Sequence, residues 1–514
     1  MLLIHPPVAK PCEPPGGIAK LAGALKRHGV KHSVLDANLE GLLNLILGPS
    51  AASDRWTVRA FRSRRHHLEA LRKPPLYRTP DRYRRAVADL NRLAEMAARQ
   101  KSVHLSLANY QHPELSALRS SDLRRAARYP EDNPFFVYFK NRLETLFEKE
   151  QPRVLGVSMN YLSQALCTFA MLGFIRRQWP ELTLVLGGGL LTSWMQRPGW
   201  QNPFQDLVDH LVGGPGEAAL LTLLGTPGVR TSPAKHYQPD YDLFPLADYL
   251  APGTILPYSA STGCYWNRCA FCPEKAEGNP YAAVPVDRVI GDLKVLVEQT
   301  RPSLIHLLDN AVSPALMEAL VMQPPGVAWY GFARISRRLA DLDFCRALKR
   351  SGCAMLKVGL ESGAQTVLDA EQKGIDLALA TQALRNLKKA GIAAYVYLLF
   401  GTPSETLTEA RTTLEFTVRH SDSIDFLNLA IFNLPICAPQ AQQLETKSLY
   451  EGDQSIYTGF RHPKGWDRGS VRQFLAKEFK RHPAVRKILI QDPPLFTSNH
   501  APFFKLEHVR FQIQ

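Results

Sequence analysis

The chain has 514 residues, with 62 Lys and Arg against 47 Asp and Glu for a formal net charge of +15; 45% of it is hydrophobic and 21% charged. That balance excludes wholesale disorder and a staple-dependent miniprotein, and the length predicts about two to four domains. No apolar run approaches the roughly 18 to 20 residues of a membrane span, and residues 1–7 lack the charged and apolar regions of a signal peptide, so the expectation is a cytoplasmic protein with no membrane partner. The 8 cysteines are too sparse for a secreted disulfide framework. A local group of them points to metal binding or redox work.

Short apolar runs alternate with helical periodicity from the start: residues 2–5, a helix over 18–28, then 32–36. The pattern resumes at 154–159, a helix over 164–179, 182–186 and 210–212, which predicts an α/β fold with a doubly wound parallel sheet. The Arg-rich segment at about 49–150 reads as a helical insertion, completing a first domain over 1–225, and 226–252 reads as a linker. A second series follows, with strands at 255–261, 304–309, 329–335, 355–361, 394–401 and 426–432 and helix-like stretches between them. Six β/α units over 253–440 predict a partial or full (β/α) barrel with its chemistry where strands end. Residues 441–514 carry no repeat and read as an accessory region.

Just past the first strand of that series, Cys264, Cys269 and Cys272 fall in Gly263-Cys264-Tyr265-Trp266-Asn267-Arg268-Cys269-Ala270-Phe271-Cys272-Pro273. Soft thiolates in one short loop suit an iron-sulfur cluster or zinc, and three ligands leave a coordination position open. The competing readings are a structural zinc site completed by a distant His such as His306, and three core cysteines.

The loop resembles the cluster motif of the radical S-adenosylmethionine (SAM) superfamily. The usual spacing there is CxxxCxxC with an aromatic residue before the last Cys; Phe271 fits, but four residues rather than three separate Cys264 from Cys269. The resemblance implies that the three cysteines hold a four-iron four-sulfur cluster whose fourth iron is chelated by SAM. It further implies that Asp309 meets the SAM amino group, that Arg334 pairs with its carboxylate, and that Glu361 and Ser362 take the ribose hydroxyls. Gly401, Thr402 and Pro403 would line the adenine, with Leu434 and Pro435 at its edge. Read without the resemblance, Asp309 is a helix cap and Arg334 a solvated side chain.

A doubly wound domain ahead of such a barrel resembles the cobalamin-binding domain of that superfamily's largest subclass. On this reading the ligand-facing positions are Gly16, Asp36, Ser158, Gly187, Gly188, Gly189, Gly213 and Glu217, all near strand ends at the carboxyl edge of the sheet, where Gly lets backbone approach a bulky ligand. Tight turns in an empty domain are the alternative. Cobalamin domains that ligate cobalt from below carry Asp-x-His-x-x-Gly; here Asn38 stands at the His position, so the expectation is cobalamin bound without a protein imidazole.

The implied activity is that of a cobalamin-dependent radical SAM enzyme, a C-methyltransferase that reaches an unactivated carbon through a 5'-deoxyadenosyl radical and methylcobalamin. Its cofactors would be the cluster, SAM and cobalamin. Its partners would be a small-molecule or peptide substrate and an electron donor such as flavodoxin or ferredoxin. The alternatives are a radical SAM enzyme that cyclises or rearranges without methylation, and a zinc-containing RNA-binding protein. Arg62, Arg64, Arg65, Arg82, Arg84 and Arg85 form a basic face that suits nucleic acid or an anionic ligand, though a solvated helix is favoured. Cys12, Cys167, Cys345 and Cys353 read as core thiols, and Cys437 as a candidate catalytic residue at the barrel mouth.

Overall fold

The computed structural model describes residues 1–49, 54–226, 236–448, 451–493 and 501–503. They divide into two compact units, residues 1–254 with 451–456, and residues 255–448 with 457–493 and 501–503.

The first unit runs β1 (Leu2–His5), α1 (Gly16–Arg27), β2 (Ser33–Asp36), α2 (Ala37–Leu47), α3 (Arg55–Leu71), α4 (Pro80–Ala98), α5 (Ser120–Arg128), α6 (Phe136–Glu150), β3 (Val154–Ser158), α7 (Leu162–Gln178), β4 (Thr183–Gly187), α8 (Gly189–Met195), β5 (His210–Val212) and α9 (Glu217–Leu223). Five of its strands form one parallel sheet in the order β2-β1-β3-β4-β5, and a short antiparallel pair, His104–Leu105 with Tyr110–Gln111, lies in the insertion. This order reverses direction between β1 and β3, and open α/β sheets take ligands beyond the carboxyl ends of the strands at such a switch. The Arg-rich insertion is helical, and it supplies α3 to α6 between the second and third strands. Residues 164 to 175 of α7 are all buried, because this helix is covered by the insertion as well as by the sheet. A Cβ on Gly173 would run into the Ala127 backbone, so α5 and α7 touch there without intervening side chains.

The expected linker behaves differently. Part of it, 227–235, lies outside the described residues. The rest is packed onto the first unit: Tyr237, Tyr241, Phe244 and Tyr249 are buried, Asp240 donates its N–H to the Ala19 carbonyl, and Lys26 pairs with Asp240 and Asp242. The Pro and Asp content that signalled a loop overlooked these aromatic residues at irregular spacing, which bind the strap to α1.

The second unit runs β6 (Ile255–Tyr258), α10 (Val286–Thr300), β7 (Leu304–Leu307), α11 (Pro314–Met322), β8 (Ala328–Ala333), α12 (Leu342–Arg350), β9 (Cys353–Glu361), α13 (Gln365–Ala370), α14 (Leu377–Ala390), β10 (Ala393–Phe400), α15 (Leu407–Arg419) and β11 (Phe426–Ile431). The strands pair in parallel in consecutive order from β6 to β11, an open six-stranded partial barrel. Local signals set the helix ends. Ser313 caps α11 ahead of Pro314, Asp376 caps α14, Gly391 ends it at φ 72°, and Thr406 with Glu409 forms a capping box on α15. Beyond β11 come the antiparallel pair β12 (Leu434–Pro435) and β13 (Tyr457–Phe460), then α16 (Arg468–Phe474) and α17 (Pro483–Gln491). Phe474 and Phe479 pack on Phe400 at the end of β10, so this part of the accessory region belongs to the barrel's core.

Candidate active site

The cysteine loop opens where β6 ends. Ser261–Thr262 pairs antiparallel with Ala282–Ala283 and draws the two ends of the loop together. Gly263 sits at φ 66°, and a Cβ there would strike the Pro280 carbonyl. Asn267 takes φ 44°, the left-handed region that Asn tolerates better than most residues, within the long Cys264–Cys269 interval. Cys269 is buried; Cys264 and Cys272 are half-buried. Burial pushes the Cys269 thiol up while Lys373 and Arg334 pull it down, and burial likewise raises Cys272 against hydrogen bonds from the backbone of Lys275 and Glu274. Among the described residues no three His, Cys, Asp or Glu side chains gather round a point suited to a single ion. A four-iron cluster spaces its thiolates more widely than one ion does.

A strap after α13, Glu371-Gln372-Lys373-Gly374, braces this loop. The Glu371 carbonyl accepts the Ala270 N–H at 2.9 Å, and the Gln372 carbonyl accepts Trp266 Nε1 at 3.2 Å. Gly374, at φ 66°, lies against the Trp266 ring so closely that a Cβ would overlap it. Lys373 Nζ pairs with Glu361 at 2.6 Å and lies 5.4 Å from the centre of the Phe271 ring. Glu361 sits at φ 69°, where the β9–β10 register shifts, and Gly359 leaves room for the ion pair. Phe271 packs against the buried cluster of Phe432, Leu434 and Ala438, so the cysteine loop adjoins the expected adenine edge. Pro435 is buried and pairs with Tyr457.

Three of the side chains expected to contact SAM have partners within the protein. Arg334 turns toward the cysteine loop. Ser362 is fully buried, its hydroxyl sharing a hydrogen bond with Thr413 and accepting the Ala364 N–H, so it fastens β9 to α15. Asp309 accepts the Ala260 N–H and the Ser261 hydroxyl, which tie the end of β7 to that of β6. Burial raises the Asp309 carboxyl, and it lines a largely apolar cavity of about 370 Å³ with Tyr265, Tyr281 and Val289.

The segment from Gly401 is held from two sides. Gly401 donates its N–H to Glu405, Ser404 donates to Glu371, and His462 Nε2 and Trp466 Nε1 reach the Thr402 carbonyl and Glu405 at 2.8 and 2.9 Å. Thr402 is buried and Pro403 half-buried. Cys437 is half-buried just past β12. His306 stacks on Tyr330 at 4.4 Å and lies 3.4 Å from Lys357 Nζ, which also lies near the Phe332 ring; this buried face spans β7 to β9. Sequence reading passed over Trp266, Glu371, Lys373, Lys357, His462 and Trp466. A usable signal existed only for Lys373-Gly374, a cation beside a residue suited to a tight turn.

At the carboxyl edge of the first unit's sheet, the polar candidates hold their own backbone. Asp36 caps α2 through the Leu39 N–H and accepts the Tyr249 hydroxyl; Asn38 accepts the Ala9 N–H at 2.8 Å. Glu217 pairs with Lys20 at 2.8 Å, and the Ser158 hydroxyl accepts Asn160 Nδ2. Gly188 at φ 105° packs on the Met159 backbone, while Gly189 donates to Asn160. Gly16 begins α1, Gly187 ends β4, and Gly213 follows β5 beside Met195. Tyr161, Leu162 and Met195 are exposed at this edge.

The pattern of the Radical SAM superfamily matches residues 258–417. An uncharacterized methyltransferase of Pyrococcus horikoshii is 29% identical over 188 residues, 35% of this chain and 40% of that protein. An anaerobic magnesium-protoporphyrin IX monomethyl ester cyclase of Rubrivivax gelatinosus is 22% identical over 241 residues, 45% of this chain and 42% of that one. The matches thus span well under half of these curated relatives. The cobalamin-dependent radical SAM enzyme OxsB, with aqua-cobalamin and SAM bound, superposes with a TM-score of 0.59 at 12% identity over 95% of this chain and 70% of its own. The radical SAM methyltransferase TsrM of Kitasatospora setae, with tryptophan and a SAM analogue, does so with 0.54 at 16% identity over 96% and 89%. The chain therefore carries a radical SAM domain within its second unit, in the α/β fold of the cobalamin-dependent radical SAM enzymes.

Proposed function

We propose that this chain is a cobalamin-dependent radical SAM enzyme that methylates an unactivated carbon of a small molecule or peptide. The observation that carries the reading is the placement of three thiols in one braced loop at the carboxyl end of a parallel barrel, with Phe271 of that loop packed on the cluster of Phe432, Leu434 and Ala438 and with Glu361 held by Lys373 of the bracing strap.

The donor set fits the cluster: Cys264, Cys269 and Cys272 offer three soft ligands in a framed loop and leave a fourth iron for SAM. Glu361, fixed by Lys373, is a carboxylate able to accept the two ribose hydroxyls. Half-buried Phe271 would supply apolar surface for the adenine, backed by the buried Leu434, and the braced Gly401–Pro403 segment would fix its flank. The first unit's edge fits a corrin, with exposed Tyr161 and Leu162 after β3 at the switch point and exposed Met195 beside the Gly213 loop. The Asn38 amide is already committed to Ala9, so cobalt would receive no ligand from that position. Once bound, these groups supply one-electron cleavage of SAM and methyl transfer. The chain's own work is to bind, orient and exclude water.

The test is anaerobic purification, cluster reconstitution with a flavodoxin or ferredoxin as reductant, and turnover assays. Methylated product with S-adenosylhomocysteine and 5'-deoxyadenosine supports the reading. Only 5'-deoxyadenosine and methionine would support a second reading, cyclisation or rearrangement, which the similarity to the Rubrivivax cyclase favours. Zinc without iron or sulfide overturns both.

A further inference from the structure

Arg334, at the end of β8, is 8% exposed, and among the described residues no carboxylate forms an ion pair with it. A buried guanidinium keeps its charge, so it needs a counter-charge or a full set of acceptors. Each of its contacts lies on the cysteine loop or on the strap behind it. Nη1 donates to Cys269 Sγ at 3.8 Å, Nη2 donates to the Lys373 carbonyl at 2.5 Å, and the guanidinium carbon stands 4.1 Å from the centre of the Trp266 ring. Trp266 is locked in turn by Gln372 and Gly374, so the fork has little freedom to swing away. The nearby Lys373 is already balanced by Glu361.

We propose that Arg334 is a positioning residue whose counter-ion is the Cys269 thiolate, and that it raises the reduction potential of the cluster rather than binding the carboxylate of SAM. This rests on the cluster reading above. Reduction adds one negative charge to the cluster, and a fixed cation hydrogen-bonded to a ligand sulfur favours the more negative state. A neutral side chain at this place removes that preference.

The experiment is a dye-mediated redox titration of the full-length, cluster-loaded protein without SAM, followed by electron paramagnetic resonance, together with SAM binding to the oxidised protein. Arg334→Gln is expected to shift the one-electron equilibrium about tenfold toward the oxidised cluster, about 59 mV more negative, while SAM affinity changes by less than about threefold. Arg334→Lys keeps the charge but loses the flat fork, and is expected to shift the midpoint in the same direction by less. Should the glutamine variant fail to load, the neutral Arg334→Met takes its place: a negative shift supports the inference and a wild-type midpoint overturns it. An unchanged midpoint with weakened SAM binding in the glutamine variant overturns it in favour of the carboxylate role. Failure of the parent protein to hold iron would instead overturn the radical reading itself.

Discussion

At the carboxyl end of the barrel, polar side chains are wired to one another across the cysteine loop, the strap and β9: Arg334 to Cys269 and Lys373, Lys373 to Glu361, Glu371 to Ser404. At the carboxyl edge of the five-stranded sheet, Asp36 and Asn38 hold backbone N–H groups and Glu217 holds Lys20, leaving glycine loops and exposed apolar side chains to face outward. The first edge presents chemistry through side chains. The second presents a shape. Substitutions should therefore change iron, redox state and turnover at the barrel, and mainly stability at the sheet.

The largest contrast concerns the cysteines. Replacing Cys264, Cys269 or Cys272 by Ala is expected to abolish cluster binding and all SAM cleavage, measured as iron and sulfide per chain and as 5'-deoxyadenosine formed. Cys12, Cys167, Cys345 and Cys353 are buried, and the same change there should leave the iron content intact. Loss of iron from any of those four would break the division into ligands and core thiols.

Glu405 gives the next effect. It is fully buried, and burial pushes its carboxyl from the ordinary 4.5 up to about 7, against hydrogen bonds from Gly401 and Trp466. Between those two values the folded state keeps a proton that the unfolded chain has released. The contribution of Glu405 to stability is therefore greatest below about 4.5, falls as the pH rises to about 7, and levels off above it. A gap of that size corresponds to a loss on the order of 3 kcal/mol. Glu405→Gln should remove this slope, read from denaturant melts at pH 5 and pH 8; identical slopes in both proteins would contradict the assignment.

Much of this was legible in the sequence because its signals are local. The strands expected at 154–159, 355–361 and 394–401 form at Val154–Ser158, Cys353–Glu361 and Ala393–Phe400, since a strand buried on both faces must be a continuous apolar run. The three cysteines were legible for the same reason, lying within one loop. What escaped was contact between segments far apart in sequence. Arg334 reads as any basic residue until Trp266 and Lys373 are placed around it. The Ser362 hydroxyl reads as free until Thr413, on α15, is seen to share it. The strap at 236–252 reads as a linker because its aromatic residues follow neither helical nor strand periodicity, being spaced to suit α1.

Gly374 and Asn38 sharpen the comparison at closer range. Gly374→Ala forces a Cβ into the Trp266 ring at a positive φ and should cost about 1–3 kcal/mol, with a fall in the iron retained after desalting. Asn38→Ala strands the buried Ala9 N–H and should cost about 1–3 kcal/mol as well, but with iron content unchanged. Equal loss of iron in both variants would show that the two edges are not independent in this respect.

The smallest effect is expected on the basic insertion. Arg62, Arg65, Arg82 and Arg85 are exposed on α3 and α4, where charges in solvent contribute little to folding. Replacing the four together by Gln should change stability by less than about 0.5 kcal/mol per site, because each side chain is surrounded by water in the folded and unfolded states alike. It also lowers the net charge without touching either edge. Binding of a generic RNA oligomer, measured against salt concentration, then tells whether this face is merely solvated. A solvated face predicts weak binding with nearly the same salt slope in parent and variant. If the slope falls by several units on substitution, these arginines contact phosphates and the face is a third functional surface.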